Sequence, residues 1–95
     1  MIIGYAKLSL ILPGGSSLKQ KRQVVKSITE RVKHRYNVSI AEISDQDLWQ
    51  KATIGVSYVS LTDFQAKKTL RAIRDFIEVQ GKGMVADFTI ETVKS

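Results

Sequence analysis

NVSIAEIS (residues 37–44) and KATIGVSYVS (residues 51–60) are alternating runs lying back to back between two stretches of helical periodicity. In the first, Val38 and Ile40 oppose Ser39, Ala41 and Ile43. In the second, Ala52, Ile54, Val56 and Tyr58 oppose Thr53, Gly55, Ser57 and Val59. Successive strand side chains point to opposite faces, so each run reads as a strand with one more apolar side. Asp45–Gln50 is the connection between them.

Upstream, Ser17 begins a helix running to Tyr36. Its hydroxyl has capping-box spacing to Gln20, and Leu18, Val25, Ile28 and Val32, with Val24 at the margin, form one core-facing stripe. Downstream, Thr62 and Gln65 repeat the cap, Ala66, Leu70, Ile73 and Ile77 make a second stripe, and Gly81 ends the helix. Ile2–Leu12 is a strand with Gly4, Ala6, Leu8 and Leu10 on one face and Tyr5, Lys7, Ser9 and Ile11 on the other. Pro13-Gly14-Gly15 stops it. Met84–Val93 closes the chain as a strand, with Met84, Ala86, Phe88 and Ile90 expected inward and Val85, Asp87, Thr89 and Glu91 outward. The order is β-α-β-β-α-β. A four-stranded antiparallel sheet with both helices on one face buries every stripe at once, which is the α+β, ferredoxin-like arrangement with the first and third strands central. Residues 1–95 are expected to form a single domain.

An apolar fraction of 43% with 25% charged residues is ordinary for a globular chain. The absence of cysteine removes disulfides, thiol nucleophiles and thiolate metal sites, and fits a reducing cytoplasm. Met1–Leu12, interrupted by Gly4, Lys7 and Ser9, reads neither as a signal peptide nor as a membrane span. A cytoplasmic protein without membrane association is expected.

Charge is segregated. Residues 1–40 carry eight Lys/Arg and one acid, a net +7, whereas residues 41–95 carry seven and eight, a net −1. Lys19, Arg22, Lys26 and Lys33 share one solvent-side stripe of the first helix, with Arg31 and Arg35 peripheral. Such a field attracts polyanions, phosphate above all. The other reading is a charged face that only solvates a surface helix, although such faces usually mix signs. Lys21 projects into the apolar stripe, either snorkelling at the helix end or placing a cation at the sheet edge. His34 reads as a surface residue with no second ligand for a metal. Gly14-Gly15-Ser16-Ser17 offers helix N-terminal amides but lacks the spacing of a nucleotide-binding loop.

The uncovered sheet face has Tyr5 as its only aromatic, which disfavours RNA stacking on the sheet. With Ile3, Ile11, Ile43 and Val59 nearby, it reads either as a solvated face or as a homodimer surface. Trp49, beside Asp47 in the strand connection, either covers the core edge or anchors a protein partner. Glu42, Asp45 and Asp47 have no nucleophile beside them, and one histidine composes no catalytic set. No catalytic residue, cofactor or metal is expected.

Ser17-Leu18-Lys19-Gln20-Lys21-Arg22, Asn37-Val38-Ser39-Ile40-Ala41-Glu42 and Asp47-Leu48-Trp49-Gln50-Lys51-Ala52 together resemble the YlxP-like family of small bacterial proteins. The resemblance covers essentially the whole chain. It implies a ferredoxin-like fold and, because the family's genes often neighbour those of ribosome-binding factor A and a translation initiation factor, a translation or ribosome-assembly setting. It implies no catalytic residues. Gln20 stands where the family commonly has Glu, which keeps the capping geometry and makes the helix more basic. The residues and the resemblance together point to a non-catalytic, RNA- or ribosome-associated binding module that uses the first helix. The alternative is a homodimeric protein-interaction or small-ligand-sensing module that uses the open sheet face.

Overall fold

The computed structural model of the chain describes residues 1–12 and 17–95. Its elements run β1 (Ile2–Ile11), α1 (Leu18–Arg35), β2 (Ser39–Ser44), β3 (Lys51–Ser60), α2 (Asp63–Val79) and β4 (Met84–Lys94). The strands form one antiparallel sheet in the order β2-β3-β1-β4, with β1 and β3 central as expected of the ferredoxin-like arrangement. Both helices lie on one face. Ala6, Leu8 and Leu10 of β1 and Ala52, Ile54 and Val56 of β3 share a single core with Val25, Ile28 and Val32 of α1 and Leu70, Ile73 and Ile77 of α2. Each fully buried Leu or Ile contributes about 1.5–3 kcal/mol.

Local chemistry sets the helix ends. Ser17 Oγ accepts from Gln20 N at 3.1 Å, and Thr62 Oγ1 accepts from Gln65 N at 3.1 Å. Lys33, His34 and Arg35 in the last turn of α1 suit the negative end of its dipole. Gly81, at φ +69°, turns the chain out of α2. The predicted Pro13-Gly14-Gly15 stop and the glycine-rich entry through Ser16 lie outside the described residues. Among the described residues no helix is long and apolar enough to cross a membrane.

The expected facing of β4 is overturned at its start. Its pairing with β1 runs Lys7↔Thr89 and Ser9↔Asp87, then shifts so that Leu10 meets Val85 and Ile11 meets Met84. Ala86 is the extra residue of a bulge. One inserted residue exchanges the two faces of a strand. Val85 therefore packs on the core while Met84 and Ala86 are exposed, the reverse of strict alternation. A second shift in β2 falls at Ile43, between Glu42↔Ile54 and Ser44↔Thr53. It leaves Glu42 opposite the core residue Ile54 and ends the strand with Ser44 opposite Thr53.

Candidate nucleic-acid interface

α1 presents its cations outward because Val25, Ile28 and Val32 hold the opposite face on the sheet. Lys19, Arg22, Lys26, Arg31, Lys33 and Arg35 are all exposed. The ion pairs of the described residues fall on Lys21, Lys51, Lys67 and Arg74, so none of those six cations has a carboxylate partner among them. Five project freely. Arg35 is held over the aromatic rings of Phe76 and Tyr36, its guanidinium 5.0 and 5.8 Å from their centroids. Tyr36 and Phe76 meet edge to face at 5.8 Å.

A groove of about 950 Å³ lies along this face of α1. Lys26, Arg31, His34 and Arg35 line it together with Phe76 of α2, and Glu30 is its one acidic wall. Lys19, Arg22 and Lys33 are not part of its lining, so the stripe read from the sequence divides into a groove set and an outer set that meet at Lys26. Lys82 was missed by the sequence reading. It follows α2, yet its Nζ donates to Ser27 Oγ of α1 at 2.8 Å and brings one more cation to this surface. No local signal in the sequence links residues so far apart.

A second polar constellation joins α1 to the sheet. Lys21 is buried and does not snorkel. Its Nζ lies 2.7 Å from Glu42 Oε2 and donates to the Asp45 carbonyl. Asp45, at φ +64°, turns its carboxylate back to accept from the Thr53 hydroxyl at 2.6 Å, with Lys51 Nζ at 3.8 Å. Glu42, Asp45 and Asp47 therefore do not act as a set. Glu42 and Asp45 anchor cations, and Asp47 stays exposed with no such contact. Trp49 is 40% exposed and, with Leu48, lines a depression of about 520 Å³ against Ile11 and Leu12. It thus covers a core edge while keeping one side in solvent.

A family model described as "Protein of unknown function (DUF503)" matches residues 3–90. The chain belongs to this family. Among curated proteins, "Uncharacterized protein YlxP" of Bacillus subtilis (strain 168) is 42% identical over 77 residues, covering 81% of this chain and 84% of that protein. The segments that carry the resemblance, 17–22, 37–42 and 47–52, meet in space at one corner, where Lys21 contacts both Glu42 and the Asp45 carbonyl and Lys51 lies by the Asp45 carboxylate. Among solved structures, a de novo designed ferredoxin-fold protein, LFR1, is similar at a TM-score of 0.56 and 13% identity, covering 100% of this chain and 88% of that one. Protein YJCS aligns at 0.55 and 12%, covering 97% and 99%. SnoaB, a cofactor-independent oxygenase from Streptomyces nogalater, aligns at 0.51 and 4%, covering 99% and 92%. At such identities these likenesses establish the fold alone.

Proposed function

We propose that the chain is a cytoplasmic, non-catalytic module that binds structured RNA, in a ribosomal setting, through the outer face of α1. The observation that carries this is the set of exposed cations, Lys19, Arg22, Lys26, Arg31 and Lys33, that no carboxylate among the described residues neutralises. Unpaired cations on a rigid helix lose no internal ion pair on meeting phosphate, and each contact releases counterions from the polyanion. Arg35, fixed over Phe76, supplies a planar donor at the end of the groove. Lys82 extends the positive surface beyond the helix.

The test is ribosomal-RNA binding at low and moderate salt, with the intact protein and a Lys19/Arg22/Lys26/Lys33→Ala variant. Four phosphate contacts predict a loss of roughly a hundredfold between about 50 and 200 mM salt, and a much shallower salt slope in the variant. A dissociation constant indifferent to salt and to the substitutions overturns the reading.

A second role is favoured by the half-exposed indole of Trp49 beside Leu48 and Asp47, an apolar anchor with an acidic rim that suits a protein partner. Trp49 is the sole tryptophan, so its fluorescence reports docking directly. A bound partner shifts the emission to the blue, and Trp49→Ala abolishes capture of that partner without unfolding the chain.

A further inference from the structure

The open face of the sheet carries a pattern that the basic helix does not use. Ile3 lies in register between Val59 of β3 and Val93 of β4, an apolar row at one end of the face. Ile11 beside Met84 makes a second apolar pair at the other end. Val59, Val93, Ile11 and Met84 are all exposed. Between the two ends, Lys7 stands next to Thr89, with Asp87 and Glu91 two residues to either side of it on β4. Lys7, Asp87 and Glu91 are exposed, and none has an ion pair among the described residues. Lys51 is already paired with Asp45, which leaves Lys7 against Asp87 and Glu91, so this face is slightly negative in a chain of net charge +6.

We propose that this face binds a second copy of the chain, sheet against sheet about a two-fold axis, with Lys7 of each copy meeting Asp87 and Glu91 of the other. A two-fold interface must be self-complementary, since residue i meets j and j meets i. A face holding unpaired charges of both signs between apolar ends has that property. A polyanion gains no net attraction from it. Pairing through this face also keeps the two α1 surfaces, which hold the excess charge, on the far sides of the two sheets. Strands of 10, 6, 10 and 11 residues, at about 3.3 Å per residue and about 4.8 Å spacing, present roughly 600 Å². Full overlap of two such faces buries about 1,200 Å², the lower bound for a standard specific interface.

Sedimentation equilibrium of the full chain over the micromolar range tests it. The mass is expected to rise with concentration from 10.6 kDa toward twice that value. Lys7→Glu and the pair Asp87→Lys/Glu91→Lys each weaken self-association by about tenfold or more, and mixing the two variants restores association as a heterodimer. All three positions are exposed, so circular dichroism of each variant matches the parent. A single-chain mass at every concentration overturns the proposal and leaves the face to another partner. A dimer indifferent to both reversals overturns it equally, because the contact then lies elsewhere.

Discussion

The ammonium of Lys21 in α1 lies 2.7 Å from Glu42 Oε2 in β2, with the lysine side chain wholly buried and that of the glutamate 15% exposed. The contact is an ion pair outside hydrogen-bond angles, since Glu42 Oε2 has no aligned donor. Lys21 instead directs a hydrogen bond to the Asp45 carbonyl. One cation thus ties the start of α1 to the end of β2, where the chain turns toward β3.

Removing that cation strands a buried carboxylate. Lys21→Met is expected to cost about 3 kcal/mol, read from urea denaturation, because breaking a buried pair leaves an uncompensated charge. The double variant Lys21→Met/Glu42→Leu is expected to recover most of the loss, since two apolar groups replace the pair. A double variant no better than the single one would mean that the Asp45 carbonyl is the contact that matters.

Gly4 is a packing glycine. A Cβ there would sit 3.0 Å from Ala66 Cβ and 3.1 Å from Leu70 Cδ1, so α2 must lift from β1 to admit it. Gly4→Ala is expected to destabilise by about 1–3 kcal/mol through overpacking. Gly81→Ala meets no atom within 4 Å but pays for φ +69°, about 1–2 kcal/mol. Melting temperatures of the two variants separate crowding from backbone strain when each is combined with Ala66→Gly, which relieves only Gly4→Ala.

Asp63 opens α2. The Thr92 hydroxyl donates to its carboxylate and Lys67 sits 2.9 Å away, and these contacts hold its pKa below the ordinary aspartate value. A depressed folded-state pKa means stability that is fully present above the unfolded value and lost as pH falls through the folded one. The parent is therefore expected to be more stable than Asp63→Asn near neutral pH, with the difference shrinking in acid. Denaturation midpoints measured from neutral pH downward check this, and a gap that persists unchanged in acid contradicts it.

The groove divides the basic surface into parts that can be tested separately. Lys26→Ala/Arg31→Ala removes two groove cations and Lys19→Ala/Arg22→Ala/Lys33→Ala removes three outer ones. If RNA seats in the groove, the smaller change weakens binding at least as much as the larger, and adding Lys82→Ala deepens the loss. Losses that scale only with the number of charges removed would describe a diffuse field without a seat.

Much of this architecture is written locally. The period of two in residues 51–60 and the stripe Val25, Ile28, Val32 specify which faces are buried, because strand and helix geometry repeat at fixed intervals. Ser17 and Thr62 specify the helix starts through hydroxyls that reach amides three residues on. The excess charge on α1 was legible for the same reason, since consecutive turns of one helix place those cations side by side.

The remaining features depend on residues distant in sequence. Whether Val85 or Met84 faces the core was decided by the bulge at Ala86, which exists only in the pairing of β4 with β1. Lys21 was legible as an anomaly in an apolar stripe, but its partner Glu42 was decided by where β2 crosses α1. Lys82 reached Ser27 only once α2 had packed beside α1 and Gly81 had turned the chain back. Sequence periodicity thus determined which residues form helices and strands and, outside the start of β4, which faces they bury. Tertiary packing alone decided the register, the buried ion pair and the groove, because each requires two segments whose meeting no local spacing encodes.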